Sequence, residues 1–283
     1  MIFERRPAFV RKTDMLDEIV SKAPLFLLVS ARCAALLFTL PLFSMRTVPK
    51  AAKIALAGYM AFFLMGSADY SVYGAVLSVE DGAFSLYYIM LLAGEALIGV
   101  IIGFFVSMIF AAFSTAGQFF AFQMGFSAAS AYDALSQVEN PLMGQYLNLI
   151  AMLVFMQTQW FQKLFLKGLA GSLTSLNVFE LVSGRERLVS FLLKGLSNLF
   201  ADALLIALPI MGTLLLITVC TGLLSKAAPQ MNLLSEGFPI MILLAFLIIW
   251  LLFPLLCDFF IESFSTGIDE LMQVISDIGG GSQ

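Results

Sequence analysis

Residues 86–113 read LYYIMLLAGEALIGVIIGFFVSMIFAAF, and this stretch decides the fold. It carries a single charge, Glu95. A helix needs about 20 consecutive apolar residues to cross the hydrocarbon layer of a membrane, and this run exceeds that. The alternation with a period of two that a barrel strand requires is missing. The spacing is fourfold instead. Glu95, Gly99, Gly103, Ser107 and Ala111 step along one helix face as a seam of small residues headed by an acid. Gly99 and Gly103 form a GxxxG pair, which lets two helix backbones approach closely. The glycines are read as helix packing. A carboxylate inside so apolar a helix is a functional candidate, and Arg32, Lys226 or a neighbouring subunit are its candidate partners.

Five further apolar runs lie outward from this one, at about 24–45, 54–66, 141–170, 188–224 and 240–265. Hydrophobic residues make up 60% of the 283-residue chain and charged residues 12%, with a mean hydropathy of +0.96. Soluble domains carry about 25% charged residues, so lipid must serve as solvent for much of this chain. The expected fold is an all-α membrane protein of about six long hydrophobic helices, kinked and packed as hairpins. Pro209 and Pro254 are expected to kink the last two runs. No internal repeat of short period is present.

Charge and residue types exclude several classes of function. The formal net charge is -4, which gives no basic footprint for nucleic acid. Histidine is absent, which removes Ser–His–Asp and Cys–His chemistry and most proton relays. Cys33, Cys220 and Cys257 are far apart in apolar runs and supply neither a disulfide framework nor zinc-ligand spacing. No metal site and no cofactor are expected.

Arg5, Arg6, Arg11 and Lys12 precede the first apolar run, but Asp14, Asp17 and Glu18 intervene and the run exceeds signal-sequence length. Residues 1–23 are therefore read as a retained polar arm. Lys and Arg flank the first run on both sides, and none occurs between Lys53 and Lys163. The positive-inside rule then gives no clean orientation. Arg32, inside the first run, needs a partner or a wet cavity. Segments 67–85 and 171–187 read as connectors, and 271–283 as a flexible tail with its Gly-Gly-Gly at 279–281.

Two segments hold the remaining candidates. In 110–126, Gly117, Ala121 and Gly125 continue a small seam, while Phe110, Phe113, Phe119, Phe120 and Met124 supply bulk around it. One reading is a buried interfacial helix. The other is a deformable apolar constriction. In 222–239, Lys226, Pro229, Gln230, Asn232 and Glu236 concentrate polar capacity between two very apolar helices. A plain turn is one reading, and a docking or gating surface is the other.

These residues together resemble the FliR family of flagellar and virulence-secretion export-gate proteins. The resemblance is carried by Ala-Pro-Gln-Met-Asn at 228–232, then Gly-Phe-Pro at 237–239, with Lys226 just before. Arg32, Pro41-Leu-Phe and Val48-Pro49 match in the first helix and the turn after it. Glu95, Gly99 and Gly103 leading to Gly117, Gln123 and Gly125 complete it. Order and spacing run from about residue 24 to 265. The chain departs from the family at Tyr132-Asp133-Ala134, where an Asp-Pro is usual, and at Gln157, Gln159 and Gln162, where a histidine is frequent.

The resemblance implies a non-enzymatic subunit of an export channel in the bacterial inner membrane, within a helical hetero-oligomer with FliP- and FliQ-like subunits. It implies a FliP-like region over 24–187, with a plug segment at 106–126, and a FliQ-like hairpin over 188–270. It implies FlhB and FlhA as further partners and unfolded flagellar export substrates as cargo. Phe110, Phe113, Phe119, Phe120 and Met124 become candidates for the seal, and 225–239 becomes a cytoplasmic turn that meets the partners. A small secondary transporter or permease would instead show inverted repeats and broken helices at matching positions, and no symmetrical pair of interrupted helices is found.

Overall fold

The computed structural model describes residues 8–44, 48–66, 73, 85–125, 142–227 and 233–280. Among these no strand occurs, and each apolar run has become helix. In chain order these are α1 (Ala8–Thr39), α2 (Pro41–Ser44), α3 (Lys50–Leu64), α4 (Leu86–Gln123), α5 (Leu142–Gln157) and α6 (Trp160–Lys163). A short π-helix (Leu164–Leu169) follows, then α7 (Ala170–Ser175), α8 (Val178–Ser183), α9 (Arg185–Ala227) and α10 (Leu233–Gly279). Among the described residues four helical stretches are long and apolar enough to cross a membrane: Lys22–Thr39, Leu86–Gln123, Arg185–Ala227 and Pro239–Gly279. A fifth candidate, Leu142–Gln157 with Trp160–Ser175, is bent by 68°. The expected six runs are thus all helical, but α3 is only 15 residues long.

The chain divides into two compact units that do not follow a sequential split at 187/188. The first comprises Met1–Phe104, Leu164–Leu188 and Leu271–Gln283; the second comprises Phe105–Lys163 and Val189–Glu270. The long helices α4, α9 and α10 each contribute to both.

In the first unit, α4 lies against α1 through the GxxxG pair. A Cβ on Gly99 would strike the Arg32 carbonyl and sit 3.0 Å from the Ala35 methyl; one on Gly103 would strike the Thr39 hydroxyl. Nothing larger than hydrogen fits there, which is the close backbone approach the spacing predicts. The Thr39 hydroxyl is kept local by donating to the carbonyls of Ala35 and Leu36, both at 2.9 Å. Helix α3 buries Lys53, Ala57, Met60, Ala61 and Leu64 on one face and leaves Ile54, Tyr59, Phe62 and Phe63 exposed. Lys53 lays its stem on this apolar face with its ammonium 5.5 Å from the Phe38 ring centre.

The flexible-tail reading of 271–283 is corrected over most of its length. Helix α10 continues to Gly279, and Leu271, Ile275 and Ile278 are buried. Their spacing places them on one face, which packs on α7 and α8: Met272 meets Gly171, Ile278 meets Gly184, and Gly279 lies against the Ser175 carbonyl. The connector 171–187 is likewise folded. Asn177 caps α8 in a reciprocal capping box, accepting from the Glu180 N–H at 2.9 Å while the Glu180 carboxylate accepts from the Asn177 N–H at 2.8 Å.

The fourth run breaks without proline or glycine. Thr158 turns its hydroxyl back to the Val154 carbonyl at 2.7 Å, a bond that bends helices. Gln159 then takes a left-handed backbone, φ 57. A side chain in that region costs roughly 1–2 kcal/mol. Gln159→Gly should therefore be neutral or raise stability by up to about 1 kcal/mol, whereas a β-branched Gln159→Val should lower it by about 1–3 kcal/mol. Thermal unfolding of the detergent-solubilised protein checks both signs.

Candidate functional site

The first unit is built around a buried ion pair. Arg32 sits on α1 and Glu95 on α4, one turn before Gly99, so the glycine seam that brings the backbones together also brings the charges together. Arg32 Nε donates to Glu95 Oε2 at 2.7 Å, with side chains 1% and 0% exposed. Of the candidate partners for Glu95, Arg32 is the one it meets.

The rest of the guanidinium serves a helix end. Arg32 Nη1 donates to the Ser172 carbonyl at 2.7 Å and the Ser172 hydroxyl at 3.1 Å; Nη2 donates to the Leu176 carbonyl at 2.9 Å. Helix α7 stops at Ser175, so these carbonyls belong to its terminal turn and cap; Ser172 also accepts the Leu176 N–H, and the Leu176 carbonyl lies where intrahelical donors run out. A cation there also complements the helix dipole.

Tyr73 completes the centre. Its hydroxyl donates to Glu95 Oε1 at 3.0 Å and accepts the Val178 N–H at 2.8 Å, a donor that the start of α8 leaves without an intrahelical acceptor. Burial, and next the Glu95 carboxylate, push the Tyr73 hydroxyl well above its ordinary value, so it stays a proton donor. The arrangement ties α1, α4, α7, α8 and Tyr73 together by charge-assisted bonds in a buried interior. It is a clamp. Among the described residues no cluster of metal-ligating side chains occurs.

The second unit is an aromatic core. Phe110 meets Phe155 at 5.3 Å, Phe260 at 5.6 Å and Phe264 at 6.2 Å between ring centres. Phe113 meets Phe260 at 4.9 Å. Phe264 also meets Phe155 at 4.8 Å and Trp160 at 5.2 Å. Helices α4 and α5 cross at Gly117, where a Cβ would strike the Met143 carbonyl, and reciprocally at Gly144, where one would lie 2.7 Å from the Ser114 carbonyl.

These contacts divide the expected seal. Phe110 and Phe113 belong to this packed interior, because their rings are engaged by α5 and α10 of the same chain. Phe120 and Met124 are enclosed, Phe119 is half-buried, and Phe122 is 74% exposed. Gly125, with φ 84, ends the segment in a conformation that suits glycine. Phe126, the last residue of the plug segment, lies outside the described residues.

A cleft of about 320 Å³ with a mixed lining opens in the second unit, with Asn198, Asp202, Glu262 and Glu270 facing Phe105, Met108 and Phe259 among others. Lys194 reaches Glu270 at 3.2 Å on its exposed rim. Of the expected partner-contact turn, Lys226 lies exposed in the last turn of α9. Pro229, Gln230 and Asn232 lie outside the described residues, as does the side chain of Glu236 at the start of α10.

Sequence reading missed Tyr73 and Ser172, both of which sit in segments taken for connectors. It also missed Gly144, whose partner is backbone. A tyrosine amid Asp69, Glu80 and Asp81 was the available signal for the first.

The family model described as bacterial export proteins, family 1, matches residues 23–267. The chain is 28% identical over 266 residues to the flagellar biosynthetic protein FliR of Bacillus subtilis, covering 93% of this chain and 99% of that one. To FliR of Escherichia coli it is 31% identical over 252 residues, covering 87% and 91%. To the surface presentation of antigens protein SpaR of Shigella sonnei it is 29% identical over 224 residues, covering 78% and 81%.

Proposed function

The chain belongs to the bacterial export proteins, family 1, and from that membership we propose that it is a structural and gating subunit of a flagellar type III protein export channel. The observation that carries the reading is a likeness to FliR that spans almost the whole of both chains. The flagellar assignment follows the FliR proteins of Bacillus subtilis and Escherichia coli, covered over 99% and 91% of their length. The two interiors support a scaffold: one is a clamp of buried charge, the other a stack of rings. The reading is of a structural subunit of a secretion apparatus, as its relatives are named.

Its partners in this reading are FliP and FliQ in the core complex, with FlhB and FlhA beside it, in the bacterial inner membrane. The exposed apolar faces of α9 and α10 would be shared between lipid and these subunits, which accounts for the unclear charge signal along the sequence. The likeness of 24–187 to FliP and of 188–270 to FliQ describes sequence regions, since the compact units interleave. Co-expression with FliP and FliQ should yield one stable detergent-solubilised complex. A chain that elutes alone, or that moves a small solute as a monomer, contradicts the reading.

Of the proposed seal residues Phe110, Phe113, Phe119, Phe120 and Met124, the last three lie beyond the ring contacts of the aromatic core and near the left-handed Gly125. Changing these three to Ala together should make membranes that hold the assembled complex leaky to ions and small molecules. Unchanged conductance rejects the seal.

A further inference from the structure

We propose that residues 271–279 of α10 are a clasp: docked, they keep α7 and α8 folded over the Arg32–Glu95 pair, and released, they let α7 and α8 open and water reach the pair.

The case starts from length. Helices α7 and α8 have six residues each. A helix that short does not hold by itself, because nucleation fixes several residues for one hydrogen bond. Yet these two helices cover the buried pair. Arg32 donates to the carbonyls of Ser172 and Leu176, and the Tyr73 hydroxyl, which donates to Glu95, accepts the Val178 N–H. The capping box at Asn177 secures only the start of α8. A second hold is required.

The far end of α10 provides it, within the same compact unit. Leu271, Ile275 and Ile278 are buried, while Asp269, Gln273 and Asp277 are exposed, so the segment is amphipathic and turns one face inward. That face is in register with both short helices. Met272 meets Gly171 near the start of α7, and Ile278 meets Gly184 at the end of α8. The glycines are notches: a Cβ on either would lie 2.5 Å from the methyl group it receives. Between them Gly279 lies against the Ser175 carbonyl.

One turn is therefore gripped from two remote parts of the chain. Arg32 holds the carbonyls of Ser172 and Leu176, and Gly279 closes on that of Ser175. At the exposed edge Arg187 donates to the Asp277 carbonyl at 3.2 Å. A segment held by a few notches can leave without global unfolding, and short helices that depend on it open with it.

Hydrogen exchange, read by mass spectrometry on the full chain co-purified with its partner subunits, tests the clasp. The Leu176 amide is held by the Ser172 carbonyl and the Val178 amide by Tyr73, so these two report the cover itself. Two variants release the clasp: a chain stopped after Glu270, and Gly279→Val, whose side chain strikes the Ser175 carbonyl. Both should exchange the Leu176 and Val178 amides about tenfold faster than wild type or more. The amides of α5 in the second unit should keep their rates. Gly212→Val, placed where a Cβ meets nothing within 4 Å, should leave Leu176 and Val178 at wild-type rates. Wild-type exchange at Leu176 and Val178 in either clasp variant overturns the proposal. Equal acceleration across α5 overturns it too, because the loss would then be global.

Discussion

Replacing Arg32 with Leu is expected to destabilise the protein by about 3–5 kcal/mol, because it leaves Glu95 buried without its ion-pair partner. Glu95→Leu should cost a similar amount by stranding the guanidinium. The two losses differ in detail. Without Arg32, the Leu176 carbonyl also loses its guanidinium donor and the Ser172 carbonyl keeps only the Leu176 N–H, whereas without Glu95 it is the Tyr73 hydroxyl that loses its acceptor. The double change Arg32→Met with Glu95→Leu should recover part of the loss, since a buried ion pair exchanged for apolar groups is often nearly neutral. Thermal unfolding of the purified complex gives all three values. Single variants as stable as wild type, or a double variant that loses the sum of both, would remove the clamp from the account.

Phe264→Ala should cost about 3–5 kcal/mol, since it empties a site where one ring supports four others. Phe110, Phe155, Trp160 and Phe260 all meet it within 6.2 Å between centres. Phe264→Leu should lose clearly less, because much of the volume is kept. As a contrast, Phe122→Ala lies on the same helix as Phe110 but is 74% exposed, and it should stay within about 0.5 kcal/mol of wild type. Equal losses for Phe264→Ala and Phe122→Ala would show that the rings do not form a core.

These contrasts show what was legible in the sequence. The seam of Glu95, Gly99 and Gly103 was readable because fourfold spacing survives in one dimension. Arg32 could be named as a partner because so few cations stand inside apolar runs. Tyr73 and Ser172 could not, since each lies in a polar stretch with no period and joins the centre only through tertiary contacts.

At Phe110 and Phe113 bulk alone left two readings open. A phenylalanine-rich helix with interleaved glycines looks the same whether its rings meet another helix or a channel axis, and only the positions of Phe155, Phe260 and Phe264 separate the two. At the C-terminal end, Gly-Gly-Gly at 279–281 drew attention from the spacing of Leu271, Ile275 and Ile278, which carries the helix to Gly279. The break at Gln159 lacks the usual punctuation altogether: a threonine back-bond and a left-handed glutamine do what proline or glycine commonly does.

The central claim is that this chain is a required part of a flagellar protein export channel, and secretion tests it most directly. Deleting its gene should abolish the appearance of flagellar filament and hook proteins in the culture medium while they still accumulate inside the cell. A copy of the full chain should restore export, and a copy bearing Arg32→Leu should restore far less. Normal secretion of those proteins in the deletion strain would contradict the account.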